Sequence, residues 1–133
     1  MKNKIIVSIF IILFVTTGCA KTNKEEVIKN KLKYNTSENI IKEQQIGDIK
    51  ISNISLTYKD NNSTFKSTIT NITQEAIYLN EIHIIVKDKN NTEIVKLIGF
   101  IGKNLESNKK EVIVTSTSID LSNANSVEYI LIK

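Results

Sequence analysis

From Ile49 to Leu131 apolar residues recur at every second position, in short runs broken by polar turns. A period of two belongs to strands, whose successive side chains point to opposite faces. Ile49 and Ile51 alternate, followed by Ile54, Leu56 and Tyr58, with a slip of one residue near Ser52-Asn53 that predicts a bulge. Lys59 to Ser63, KDNNS, is turn chemistry, because Asn and Asp tolerate the left-handed region. Phe65, Ser67, Ile69 and Asn71 line one face of a second strand. Ile77 and Leu79, then Ile82, Ile84 and Val86, form a third, again with a phase shift. Lys87 to Glu93 closes a hairpin, and Ile94 to Ile101 is a fourth strand, followed by a polar loop that carries Leu105. Val112, Val114 and Ser116 open a fifth strand, and Val127, Tyr129 and Leu131 a sixth.

Short strands at this spacing predict a mainly β fold, a small β-sandwich of about six or seven strands over residues 47–133. Composition agrees. Of 133 residues, 41% are hydrophobic, enough for one packed core. Nearly half of these are isoleucine, whose branched side chain suits a pleated surface. The formal charge is +4 and every basic residue is Lys. Without Lys2 and Lys4 it falls to +2, and no Arg supplies the bidentate donor that base readout favours. Nucleic acid is therefore not an expected partner. The wealth of Ile, Lys and Asn points to an AT-rich coding genome and a low-GC Gram-positive bacterium as the source.

The N-terminus has a different texture. Met1 to Lys4 is basic, and Ile5 to Val15 is an apolar run of 11 residues. At about 1.5 Å per helical residue, such a run reaches about half of a hydrocarbon core of ~30 Å. A basic start, a short apolar stretch and then small residues is the layout of a secretory signal peptide, here residues 1–18. A short membrane anchor that borrows Thr16 to Ala20 is the competing reading. Thr16-Thr17-Gly18-Cys19 resembles a bacterial lipobox, with Thr16 where Leu is usual. That resemblance implies that Cys19 takes a diacylglyceryl group and becomes the first residue of the mature chain. The protein would then be held on the outer face of the cell membrane. Gly18-Cys19-Ala20 also reads small-x-small, so cleavage after Ala20 is the alternative, which would release a secreted protein. Cys19 is the sole cysteine, so no disulfide framework is available.

Residues 19–46 then form the lipidated N-terminus and a polar tether. Lys21 to Ile46 holds six Lys and four Glu and lacks strand alternation. Short helical turns are expected over Lys24 to Leu32 and over Ser37 to Gln44. Lysines near anionic headgroups contribute about 1 kcal/mol each.

Four segments carry a second resemblance. FKSTITNITQEAI (Phe65 to Ile77) resembles a strand that ends in Asn before a short turn. IIVKDKNNTEI (Ile84 to Ile94) lies where the naming motif of FxLYD-type domains falls, LESNKKEVIV (Leu105 to Val114) resembles their leucine loop without the Pro-Gly that usually follows, and DLSNANSVEYILI resembles their ending. Ile84, Val86 and Lys87 stand where Phe, Leu and Tyr would be, and Asp88 is kept. The resemblance implies an immunoglobulin-like sandwich on a bacterial lipoprotein, with no catalytic residues to carry over.

Few residues of the chain offer chemistry. His83 is the only histidine. Alternation puts it on the face opposite Ile82, Ile84 and Val86, and the expectation is a structural or solvated imidazole. A zinc site needs about three or four ligands, which one His and a lipidated Cys do not supply. Asp88 to Glu93 echoes the start of a calcium loop, but Glu93 and Gly99 stand at its sixth and twelfth positions, so a hairpin turn is expected. Gly18, Gly47, Gly99 and Gly102 form no phosphate loop. Phe65, Tyr78, Phe100 and Tyr129 are assigned to core packing rather than to a stacking platform. Neither a cofactor nor a metal is expected. The expected function is that of a non-catalytic surface lipoprotein, its β-domain presenting loops or a sheet edge to a protein, glycan or wall polymer. A small hydrolase, an enzyme inhibitor and an accessory subunit of an envelope complex are the alternatives.

Overall fold

A computed structural model describes residues 31–133. The expected signal peptide, Thr16, Thr17, Gly18, Cys19 and most of the helix expected over Lys24 to Leu32 lie outside the described residues. Among those described, no helix is long and apolar enough to cross a membrane.

The chain forms eight strands and one helical turn. These are β1 (Lys33–Tyr34), α1 (Glu38–Ile41), β2 (Gln44–Ile46), β3 (Ile49–Lys59), β4 (Asn62–Asn71), β5 (Ile77–Lys87), β6 (Glu93–Leu105), β7 (Lys110–Thr117) and β8 (Ser126–Ile132). Two antiparallel sheets result. One runs β1-β3-β4-β7, with β2 also paired to β3, and the other runs β6-β5-β8. The chain passes between sheets after β4, after β6 and after β7, which is the mainly β sandwich that the alternation predicts.

The turns follow from their residues. Asp60 and Asn61 both adopt positive φ, 52° and 61°, between the paired residues Lys59 and Asn62. That is a two-residue turn whose twist matches the flanking strands. Asp88 organises the next hairpin, because its Oδ1 accepts from the backbone N–H of Asn90 at 2.8 Å and of Thr92 at 3.0 Å. The predicted slip in the first strand is a register shift between Ser52 and Ser55, where Asn53 has φ 50°. It lets Ile49, Ile51, Ile54 and Leu56 all face inward. Phe65, Ser67, Ile69 and Asn71 are buried opposite Ile82, Ile84 and Val86.

Two glycines permit close approach. A Cβ on Gly99 would sit 2.5 Å from Cγ2 of Ile113 and 3.0 Å from Cγ2 of Ile82. Any side chain there would hold β6 away from β7. At Gly102, φ 61°, a Cβ would meet the Phe100 ring at 2.5 Å, so that ring lies along the strand where a side chain would otherwise stand.

The structure differs from the sequence reading in five places. Residues 33–46, which polarity assigned to the tether, pack onto the sandwich. β1 and β2 both pair with β3, and Ile40 has 0% exposure among the core residues. Helical structure in the second predicted segment is a single turn, Glu38–Ile41. Buried Asn35 fixes the entry: its Nδ2 donates to the carbonyls of Leu121 and Ala124 at 3.0 and 2.9 Å, and its Oδ1 accepts from the N–H of Ser37. Leu105 is the last residue of β6, paired with Ile77, rather than part of a loop. In β7, Ile113 faces the core, and Val112 and Val114 face solvent. Finally, only two of the four aromatics reach the core. Phe65 and Tyr129 stack there at 6.3 Å between centroids, whereas Tyr78 and Phe100 are exposed.

Candidate functional site

The outer face of the β6-β5-β8 sheet is built from residues that alternate with the core set. Because Ile82, Ile84 and Val86 of β5 point inward, Glu81, His83 and Ile85 point outward. Register then decides their neighbours. Glu81 stands between Phe100 of β6 and Ile132 of β8. His83 stands between Ile98 and Ile130, and Ile85 between Lys96 and Glu128. Opposed side chains in adjacent strands lie about 4.5–5.5 Å apart at Cβ, so each row is a contact row.

This face is unusually apolar for a surface. Phe100 is 75% exposed, Ile98 48% and Ile130 41%. Five apolar side chains enclose one polar pair, His83 Nε2 to Glu81 Oε1 at 2.6 Å. Both members of the pair are part-buried, the imidazole more than the carboxylate. The lower rim carries an ion pair between Lys87 and Glu128. Lys96, on the opposite edge, makes no ion pair among the described residues.

Chemically, the pair can hold or move a proton. However, the residues registered on either side of His83 offer methyl groups and no hydroxyl. Nucleophilic catalysis would need a hydroxyl or thiol within hydrogen-bond reach of the base. Among the described residues, no group of three or more His, Cys, Asp or Glu side chains is placed to hold a metal ion. A concavity of about 530 Å³ lies between α1 and the start of β8. Asn39, Gln44, Gln45 and Glu43 give it a polar lining.

Sequence alternation located His83 on the outward face. It missed the cluster around it, because Ile94 to Ile101 is apolar on both phases and shows no preferred face. Phe100 therefore read as core. The one legible signal was the glycine at 102, which leaves room for the ring above it.

Neither the family models nor the curated proteins include a match to this chain. Among solved structures, the crystal structure of a DUF1425 family member from Shewanella sp. pv-4 is similar to it in part. The identity is 10% and the TM-score 0.46, over 68% of this chain and 86% of that one. Likeness at that level assigns no activity.

Proposed function

We propose that this chain is a non-catalytic, lipid-anchored bacterial surface protein whose sandwich binds a protein partner through the outer face of the β6-β5-β8 sheet. The observation that carries the binding role is the exposed cluster of Ile98, Phe100 and Ile130 around the Glu81–His83 pair. Contiguous exposed apolar surface of this kind marks interaction sites. The aromatic at its edge, with polar groups at its rim, is the composition of an interface core.

Anchoring rests on the lipobox-like Thr16-Thr17-Gly18-Cys19. A diacylglyceryl group adds two acyl chains, and two chains give stable attachment where one is marginal. We read the sandwich as an immunoglobulin-like domain of FxLYD type. Two of the segments that carry that resemblance meet in space: the Nδ2 of Asn71, which ends β4, donates to the Leu105 carbonyl at 2.8 Å.

Fractionation of Cys19→Ala tests the anchor. The variant is expected to leave the membrane fraction for the medium, or to stay unprocessed, with loss of the lipid mass. Unchanged fractionation with unchanged mass would remove the lipoprotein reading.

A further inference from the structure

We infer that the outer face of the β6-β5-β8 sheet is occupied by a second copy of this chain, packed face to face about a two-fold axis that runs parallel to β5. The inference rests on the reading of this face as a binding surface.

The face is complementary to itself. A C2 interface must match its own patch. A two-fold axis along β5 exchanges the positions of β6 and β8, so each residue of β6 faces the residue of β8 in the same row. Rows are fixed by register: Phe100, Glu81 and Ile132; Ile98, His83 and Ile130; Lys96, Ile85 and Glu128; Glu93, Lys87 and Ser126. Phe100 then faces Ile132 of the second copy, and Ile98 faces Ile130. Lys96 faces Glu128 of the second copy, and Glu128 faces its Lys96. This attractive contact is made twice in the dimer. Along the axis Ile85 meets Ile85, Lys87 meets Lys87 with each ammonium held by its own Glu128, and the two Glu81–His83 pairs lie opposite each other, each carboxylate already bonded to its own imidazole.

The other in-plane axis, perpendicular to the strands, fails the same comparison. It sets Phe100 against Lys96 and Glu81 against Ile85. Charge also argues against a lipid occupant. The face carries Lys87 and Lys96 against Glu81, Glu93 and Glu128, with no basic excess to draw it to anionic headgroups.

Aligned sheets cross at about −30°, which displaces the edge strands by only a few Å, within the reach of Lys and Glu side chains. Four residues on each of three strands give a face roughly 14 Å across. That is small beside the ~1,600 Å² of a standard interface, so the contact is weak and reversible in solution. Confinement of both copies to one membrane raises their effective concentration and favours it.

Sedimentation equilibrium of the full chain in a density-matched non-ionic detergent tests this. Wild type is expected to show a reversible monomer–dimer equilibrium. Lys96→Glu and Glu128→Lys each create two like-charge contacts, and each should weaken self-association about tenfold, a shift near 1.4 kcal/mol. An equimolar mixture of the two variants restores both attractive pairs in a heterodimer and should return to wild-type strength. Phe100→Asp, at a position whose side chain points to solvent, should leave the melting temperature within a few degrees of wild type and abolish the dimer. A wild type that stays monomeric at the highest usable concentration overturns the inference. A mixture that associates no better than either variant alone overturns it too. So does flotation of Cys19→Ala on phosphatidylglycerol vesicles that Phe100→Asp abolishes, which would assign the face to lipid. A monomeric wild type that still leaves the membrane fraction on Cys19→Ala removes the dimer and leaves the anchored reading standing.

Discussion

Replacing Ile40 by alanine lowers the melting temperature of this protein by roughly 15 °C. Ile40 is 0% exposed and sits in the single turn of α1, among the residues that fill the sandwich core. Truncating a buried isoleucine costs about 3 kcal/mol, in lost transfer energy and in the cavity left behind. For a domain of about 100 residues, 1 kcal/mol corresponds to about 4–8 °C. The reason to single out this side chain is its position in a segment whose composition reads as tether. Neighbouring Ile41 is exposed, so Ile41→Ala is the control and should shift the transition by less than about 3 °C. Thermal unfolding of both variants, followed by circular dichroism, decides the point. Equal small shifts would mean that α1 is not part of the cooperative core. Cutting the chain back to Gly47 should be costlier still, because it also removes β2 and the Asn35 bonds to Leu121 and Ala124.

The second large effect is expected at Asn71. Its side chain is fully buried and makes four hydrogen bonds. Nδ2 donates to the carbonyls of Glu75 at 2.7 Å and Leu105 at 2.8 Å. Oδ1 accepts from the backbone N–H of Thr73 at 2.9 Å and from its hydroxyl at 2.7 Å. One residue thus ties the end of β4, the crossover to the second sheet and the end of β6. Alanine would strand several polar groups, each costing about 1–3 kcal/mol when buried and unpaired. Allowing for partial rehydration, Asn71→Ala should lose about 3–4 kcal/mol in urea unfolding. Asn71→Asp discriminates the cause. It keeps the acceptors and turns the donors into a carboxylate facing two carbonyl oxygens. Burial and those oxygens would raise its folded pKa above the unfolded value. Stability should therefore be greater at acid pH and be lost as pH rises through the folded pKa. An Asp variant as stable as wild type at neutral pH would show that the donated bonds contribute little.

Much of the fold was legible. Alternation found the inward set of β3, β4, β5 and β8 because each strand is half-exposed, with its polar residues marking one side. The bulge at Ser52-Asn53 was legible for the same reason: a slip in phase is visible wherever the pattern is strict. β6 and β7 were harder. Ile94-Val95 and Leu97-Ile98 are apolar on both phases, as are Val112, Ile113 and Val114, so periodicity has nothing to select. The strand of Gln44–Ile46 is too short to show a period at all, and it exists because β3 offers an open edge.

The candidate site divides in the same way. Sequence alone placed His83 opposite the core side of β5 and set Cys19 at the end of an apolar run, because both inferences need only local periodicity and spacing. Register was beyond it. Which residues of β6 and β8 flank Glu81 and His83 depends on pairing between strands distant in sequence and on a bulge between Leu79 and Glu81. A one-residue change in that pairing would send Phe100 and Ile98 to the other face. The exposed apolar rows, and the charges that match them to themselves, are therefore decided by the tertiary structure, whereas the strand pattern that supplies them is determined by the sequence.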